Sequence, residues 1–170
     1  MANASHSRLR ELAFLAVFTA LMIAGKEAMA FLPNIEPVTL LVILLTCHFG
    51  WKALWSVFAF VLLEGFLYGF STWVLQYLYL WPLLVVIVML LRRWSHPVLW
   101  TVVAGIYGWL FGPLSSLPYM LTRGMGGFWA SIVAGFSFDM LHLVGNVVIV
   151  GLCFWPLDKL MKRLIPKLYQ

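Results

Sequence analysis

The sequence predicts an all-α integral membrane protein, a bundle of six transmembrane helices forming a single domain over residues 1–170, with both termini cytoplasmic. Three observations carry that expectation. Hydrophobic residues make up 64% of the chain and charged ones 10%, where a soluble domain carries roughly 45–50% and about 25%. Mean hydropathy is +0.98. Long apolar runs recur, separated by proline, glycine and paired arginine, and the basic residues between them fall unevenly. Eleven Lys and Arg with six Asp and Glu cannot coat a water-soluble fold of this length. A soluble enzyme, a nucleic-acid-binding domain and a disordered chain are thereby excluded. The net charge of +5 suits cytoplasmic loops and anionic lipid headgroups.

A crossing helix needs about 20 mostly apolar residues. The first predicted span covers 9–32 and is ended by Pro33; Arg8 and Arg10 flank it as a retained span rather than a cleaved signal. The second, 37–49, is short and stops at Gly50, and a tight joint leads to the third, 52–69. The fourth, 73–91, is closed by Arg92-Arg93. The fifth, 98–120, contains Gly112-Pro113 as a kink. The sixth, 127–155, gives way to a basic amphipathic tail after Pro156.

With both ends inside, Arg8, Arg10, Lys52, Arg92, Arg93, Lys159, Lys162, Arg163 and Lys167 face the cytoplasm, leaving Lys26 and Arg123 outside. Trp51, Trp55, Trp94 and Trp155 then lie near the inner interface, and Trp73, Tyr77, Trp81 and Trp129 near the outer one. Cys47 and Cys153 sit in apolar runs and read as small buried hydrophobes. No nucleotide-binding loop is present, so any ATP-driven transport requires hydrolysis on another subunit.

Polar groups inside apolar runs mark cavities, partners or helix contacts. Asp139, His142 and Asn146, spaced by three and four, share one face of the last span. They serve either as a structural hydrogen-bond cluster or as the floor of a polar cavity; a metal site lacks a clear third ligand. Lys26 and Glu27 either snorkel or pair. Asn34-Ile-Glu36-Pro37 reads as a helix cap or as a ligand contact. Around the outer junction of spans three and four lie Glu64, Tyr68, Trp73, Gln76, Tyr77 and Trp81. That set fits an aromatic belt or the wall of a small-molecule site, over which Tyr119 and Arg123 would close. Ala16, Ala20, Ala24 and Ala28 recur at every fourth position, a stripe for close helix approach.

Three stretches carry a likeness. Ala16-Val-Phe-Thr-Ala20, the segment 32–41 with Phe49-Gly50, and Phe138-Asp-Met-Leu-His-Leu-Val-Gly-Asn146 together resemble the substrate-binding (S) component of an energy-coupling factor (ECF) vitamin transporter. The resemblance implies a high-affinity binding subunit of an ABC importer in the bacterial cytoplasmic membrane, without catalysis or cofactor of its own. It also implies docking on a transmembrane coupling (T) subunit, through the stripe containing Ala16 and Ala20, and two ATPase subunits beyond it. Its cavity lies near the outer face. Under the charge-derived topology the aromatic and polar clusters also fall outside or at mid-depth, which places the ligand between Trp73, Gln76 and Tyr77, the Asn34–Glu36 loop and the last helix near Asp139. The segment 68–76 departs from the family's turn after span three, leaving the vitamin open among a corrinoid, the first expectation, and riboflavin, pantothenate or folate. Three other classes compete. An enzyme would use Asp139 and His142 as an acid–base pair, but neither Gly-x-Ser-x-Gly nor His-Glu-x-x-His occurs. A stand-alone proton-coupled carrier or a membrane scaffold would need no partner ATPases.

Overall fold

The computed structural model describes residues 2–168. Its helices are α1 (Ala2–Ala28), α2 (Val38–Phe49), α3 (Ala53–Tyr68), α4 (Thr72–Leu91), α5 (Pro97–Ser115) and α6 (Leu117–Leu164), and no strand occurs among the described residues. Single 3₁₀ turns follow α2, α4 and α6. Four stretches are long and apolar enough to cross a membrane: Val38–Tyr68, Thr72–Trp94, Pro97–Ser115 and Leu117–Leu168. Fewer stretches than the expected six pass on length and apolarity, for two physical reasons. Helix α1 begins with His6, Ser7, Arg8, Arg10 and Glu11, which dilute its apolar character. Helix α2, with 12 residues, is about 18 Å long and qualifies only when joined to α3 through the Gly50–Lys52 turn.

The short α2 is the centre of the assembly. Ten of its 12 residues are buried, as expected of a helix that is apolar all round, and it touches α1, α3, α4, α5 and α6. Its neighbours alternate in direction. Glu11 pairs with Lys52 and Lys26 with Glu64, so α1 and α3 run parallel. Thr19 and Ser56 reinforce that seam: Thr19 Oγ1 donates to the Leu15 and Ser56 carbonyls, and Ser56 Oγ to the Leu15 carbonyl. Helix α2 runs with α6, since Ile35 packs on Gly145 at one end and His48 Nε2 lies 2.9 Å from Asp158 Oδ1 at the other. Tyr107 donates to the Leu80 carbonyl and Tyr79 to that of Leu114, setting α5 antiparallel to α4.

Helices α5 and α6 meet along a glycine seam. A Cβ at Gly105 would lie 2.7 Å from Val147, one at Gly108 would lie 2.8 Å from the His142 carbonyl oxygen, and one at Gly112 would overlap the Asp139 carboxylate. Small residues at such positions let two backbones approach closely.

Several boundaries differ from expectation. Helix α1 ends at Ala28, and Met29–Ile35 forms successive tight turns. Helix α5 passes through Pro113 but stops at Ser115, not 120, so Tyr119 and Arg123 belong to the next helix rather than to a loop. That helix starts at Leu117, ten residues before the expected 127, with Pro118 in its first turn, where a missing N–H costs nothing. It breaks at Gly124, whose φ of 65° suits glycine. At its far end it continues past Pro156, where Asp158 is held by both His48 and Lys162. Trp51, Trp55, Trp94 and Trp155 are exposed, as interface residues would be. Trp81 is fully buried, against the expected interface position, because Phe60, Tyr77, Tyr107 and Phe111 surround it.

Candidate functional site

The alternation of directions gathers the C-terminal ends of α1, α3 and α5, the N-terminal end of α4 and the middle of α6 at one end of the molecule. Two adjoining cavities occupy that end. One, of about 330 Å³, is lined by Lys26, the loop 29–36, Tyr68, Tyr77, Phe111 and His142. The other, of about 260 Å³, is lined by Lys26, Glu64, Tyr68, Trp73 and Tyr77. Lys26, Tyr68 and Tyr77 are common to both.

The loop over the first cavity is held by its own sequence. Asn34 adopts a φ of 56°, a left-handed conformation that asparagine tolerates better than most residues. Its Nδ2 donates to the Phe138 carbonyl at 3.2 Å, and the next residue, Ile35, packs on Gly145. Pro37 lies against Gly25. Asn34 is thus a latch between loop and α6 as well as a lining residue.

An aromatic chain forms the floor. Trp73 and Tyr77 meet edge to face at 5.2 Å, Tyr77 and Phe111 at 6.1 Å, and Phe111 and His142 at 5.0 Å. Such contacts favour a rigid, flat-walled site. Phe111 carries no polar atom and stood outside the sequence expectation; only packing brings it here.

Asp139, His142 and Asn146 divide. The Gly112 N–H donates to Asp139 Oδ1 at 3.0 Å, and Asn146 Nδ2 donates to the Ala104 carbonyl at 3.0 Å. Both side chains therefore tie α6 to the backbone of α5, a hydrogen-bond cluster joining two helices, and do not bond to each other. Only His142 reaches the cavity. It is 3% exposed, and neither ring nitrogen has a partner. A buried imidazole left so is costly; its ring packs on Phe111 at the border of the cavity.

The charged groups are arranged with similar economy. Lys26 pairs with Glu64 Oε2, while Glu64 Oε1 is buried without a partner. The Lys26 ammonium also lies 4.7 Å from the Tyr68 ring centroid. The Tyr68 hydroxyl donates to the Glu27 carboxylate at 2.5 and 2.6 Å. Lys26 thus pairs across 38 residues rather than with its neighbour Glu27. In the loop, burial pushes the Glu36 carboxyl up to about 7, opposed by Lys26 and reinforced by Glu64 and Glu27.

The Glu36 shift sets a pH dependence. Between its ordinary value of 4.5 and about 7, the folded chain holds a proton that the unfolded chain releases. This contribution is fully present below 4.5 and is lost as pH rises through 7. The ligand-free protein should melt at progressively lower temperature from pH 5 to pH 8 in detergent, and Glu36→Gln should flatten that slope. An unchanged slope in the variant would assign it elsewhere.

Other expected site residues fall apart from this cluster. Gln76 is half-buried but lines neither cavity. Arg123 is exposed on the segment before Gly124, with its guanidinium 5.1 Å from the Tyr119 ring, and does not close the site. Ala16 and Ala20 lie on a different surface. With Thr19, Ile23, Ala24, Ala59 and Leu63 they line an open apolar groove of about 430 Å³ between α1 and α3. Among the described residues no group of three His, Cys, Asp or Glu is placed to hold a metal. No family model, curated protein or solved structure matches the chain.

Proposed function

We propose that this protein is a membrane-embedded substrate-binding subunit, an S component of an ECF-type importer in a bacterial cytoplasmic membrane, that captures a vitamin-like micronutrient. The observation that carries the reading is the capped cavity with aromatic walls, lined in part by a buried, unpartnered His142. Small-molecule sites combine an apolar concavity with a few placed polar groups. Asp139 is turned into α5, which removes the acid–base partner an enzyme would need beside His142 and interrupts a proton relay along α6. The cavity volumes favour a compact ring system over the larger corrinoid, which would require the 29–37 loop to swing open.

In this reading α1 and the α2–α3 pair complete six crossings, with both termini cytoplasmic by the nine-to-two division of basic residues. The cavity then faces outward. Labelling of a single cysteine introduced at Thr122 should proceed from the outside; labelling only from the cytoplasm would reverse the topology.

The apolar groove at Ala16 and Ala20 serves for docking on a T subunit, which two ATPase subunits drive. Substitution Ala20→Leu fills that groove. Ligand binding by the isolated subunit should stay within about twofold, while ATP-dependent uptake by the assembled complex falls at least about tenfold. Uptake by the purified chain alone in vesicles would identify a stand-alone carrier instead.

A further inference from the structure

The cavity has a definite charge bias. Around one cation, Lys26, stand the carboxyl groups of Glu64, Glu36 and Glu27. Lys26 is committed to Glu64, and Glu27 is engaged by the Tyr68 hydroxyl. That leaves one buried oxygen of Glu64 without a partner, and Glu36 without a hydrogen bond or ion pair among the described residues. The positively charged Arg123 lies away from both cavities.

An anionic ligand entering here could gain a counter-ion only by drawing Lys26 away from Glu64. Glu64 is 0% exposed, and a buried carboxylate stripped of its partner is strongly unfavourable. A cation meets the opposite situation. It meets a buried carboxylate oxygen without a partner at the border of the second cavity, a second carboxyl in the loop, and the rings of Trp73 and Tyr77, whose faces attract positive charge. Lys26 repels it, but is already neutralised by Glu64. Neutral imidazole offers one donor and one acceptor, so His142 can orient either an N–H or a carbonyl on the ligand.

We propose, resting on the binding-subunit reading above, that this site selects a ring-bearing organic cation over its neutral or anionic counterparts. Glu36 acts as the counter-ion, Glu64 keeps Lys26 neutralised and offers its unpartnered oxygen, Trp73 and Tyr77 are the ring faces, and His142 is the group that fixes orientation.

Three probes of nearly one shape test the charge rule: 1-methylnicotinamide, nicotinamide and nicotinate, carrying positive, zero and negative charge. Each is titrated at pH 8 into the full-length protein in lipid nanodiscs. The cation should bind at least about tenfold more tightly than the neutral amide, with the acid weakest. In Glu36→Gln, a loop variant that leaves the Lys26–Glu64 pair intact, the preference for the cation should narrow severalfold. In Glu64→Gln it should nearly vanish, provided that chain folds. Nicotinate binding as tightly as 1-methylnicotinamide overturns the charge rule, as does failure of all three to bind or a preference unchanged by Glu36→Gln. Native mass spectrometry of ligand retained from the membrane separates this inference from the broader reading. A retained carboxylate or phosphate whose uptake needs the ATPase partners sinks the cation rule and leaves the transport subunit standing. A retained cation supports it.

Discussion

Replacing Gly108 with valine should destabilise the protein by at least about 3 kcal/mol, at the upper end of overpacking costs. Even a single Cβ at this position meets the His142 carbonyl oxygen at 2.8 Å and its carbonyl carbon at 2.9 Å. These are backbone atoms, so no rotamer change relieves the clash; α5 and α6 must separate. Separation also breaks the bonds from Asn146 to Ala104 and from Gly112 to Asp139, and it displaces His142 from the cavity floor. A lower melting temperature in detergent and a lost ligand signal should therefore appear together. Gly126 supplies the contrast. No atom lies within 4 Å of a Cβ built there, and Gly126→Ala should shift stability by no more than about 0.5 kcal/mol. If Gly108→Val melts like the parent protein, the close approach of α5 and α6 is wrong.

Replacing Trp73 with alanine should weaken binding of the ligand retained from the membrane by about 30-fold, or about 2 kcal/mol, the scale of one lost aromatic wall. Trp73 is suited to this test because it is only half-buried and touches Tyr77 at the edge of the aromatic chain. Its removal leaves the buried Trp81, Phe60 and Tyr107 in contact, so the melting curve of the ligand-free protein should move little. Truncating Tyr77 is less informative, since that ring also packs on Trp81 and Phe111. Gln76→Ala should leave affinity within about twofold, because Gln76 faces neither cavity; titration of the three variants side by side decides the matter. Equal affinity for Trp73→Ala and the parent would move the ligand away from the second cavity.

Helix content and apolar stretches were legible in the residues because they depend on local quantities: hydropathy over a window, proline and glycine as punctuation, and basic pairs at stretch ends. The starts of α2, α3, α4 and α5 follow those signals to within a residue or so. Ends that depend on distant partners were not legible. Pro156 reads as a stop, yet α6 continues where Asp158 meets His48, 110 residues earlier in the chain. Gly124, not Pro113, breaks the chain between α5 and the main part of α6. The tight turn that joins α5 to α6 was hidden because Ser115 and Ser116 bond back to the Gly112 carbonyl, an arrangement no apolar window reveals.

At the site, composition and spacing marked Tyr68, Trp73, Tyr77 and His142, each polar or aromatic where a lipid-facing helix needs neither, and Asn34 and Glu36 beside Pro37 in the loop before α2. Helical spacing also put Asp139, His142 and Asn146 on one face, and that face does meet α5. Which of the three is left without a partner at the cavity was settled by the neighbour's backbone. Gly105, Gly108 and Gly112 bring α5 close enough to take up Asp139 and Asn146 and leave His142 over. Spacing along one helix says which side chains travel together; a second helix, packed against them, decides which are satisfied. The pairing of Lys26 with Glu64 arises in the same way, because it needs α1 and α3 parallel and in register, a relation fixed by the seam they share from Glu11–Lys52 through Thr19 and Ser56.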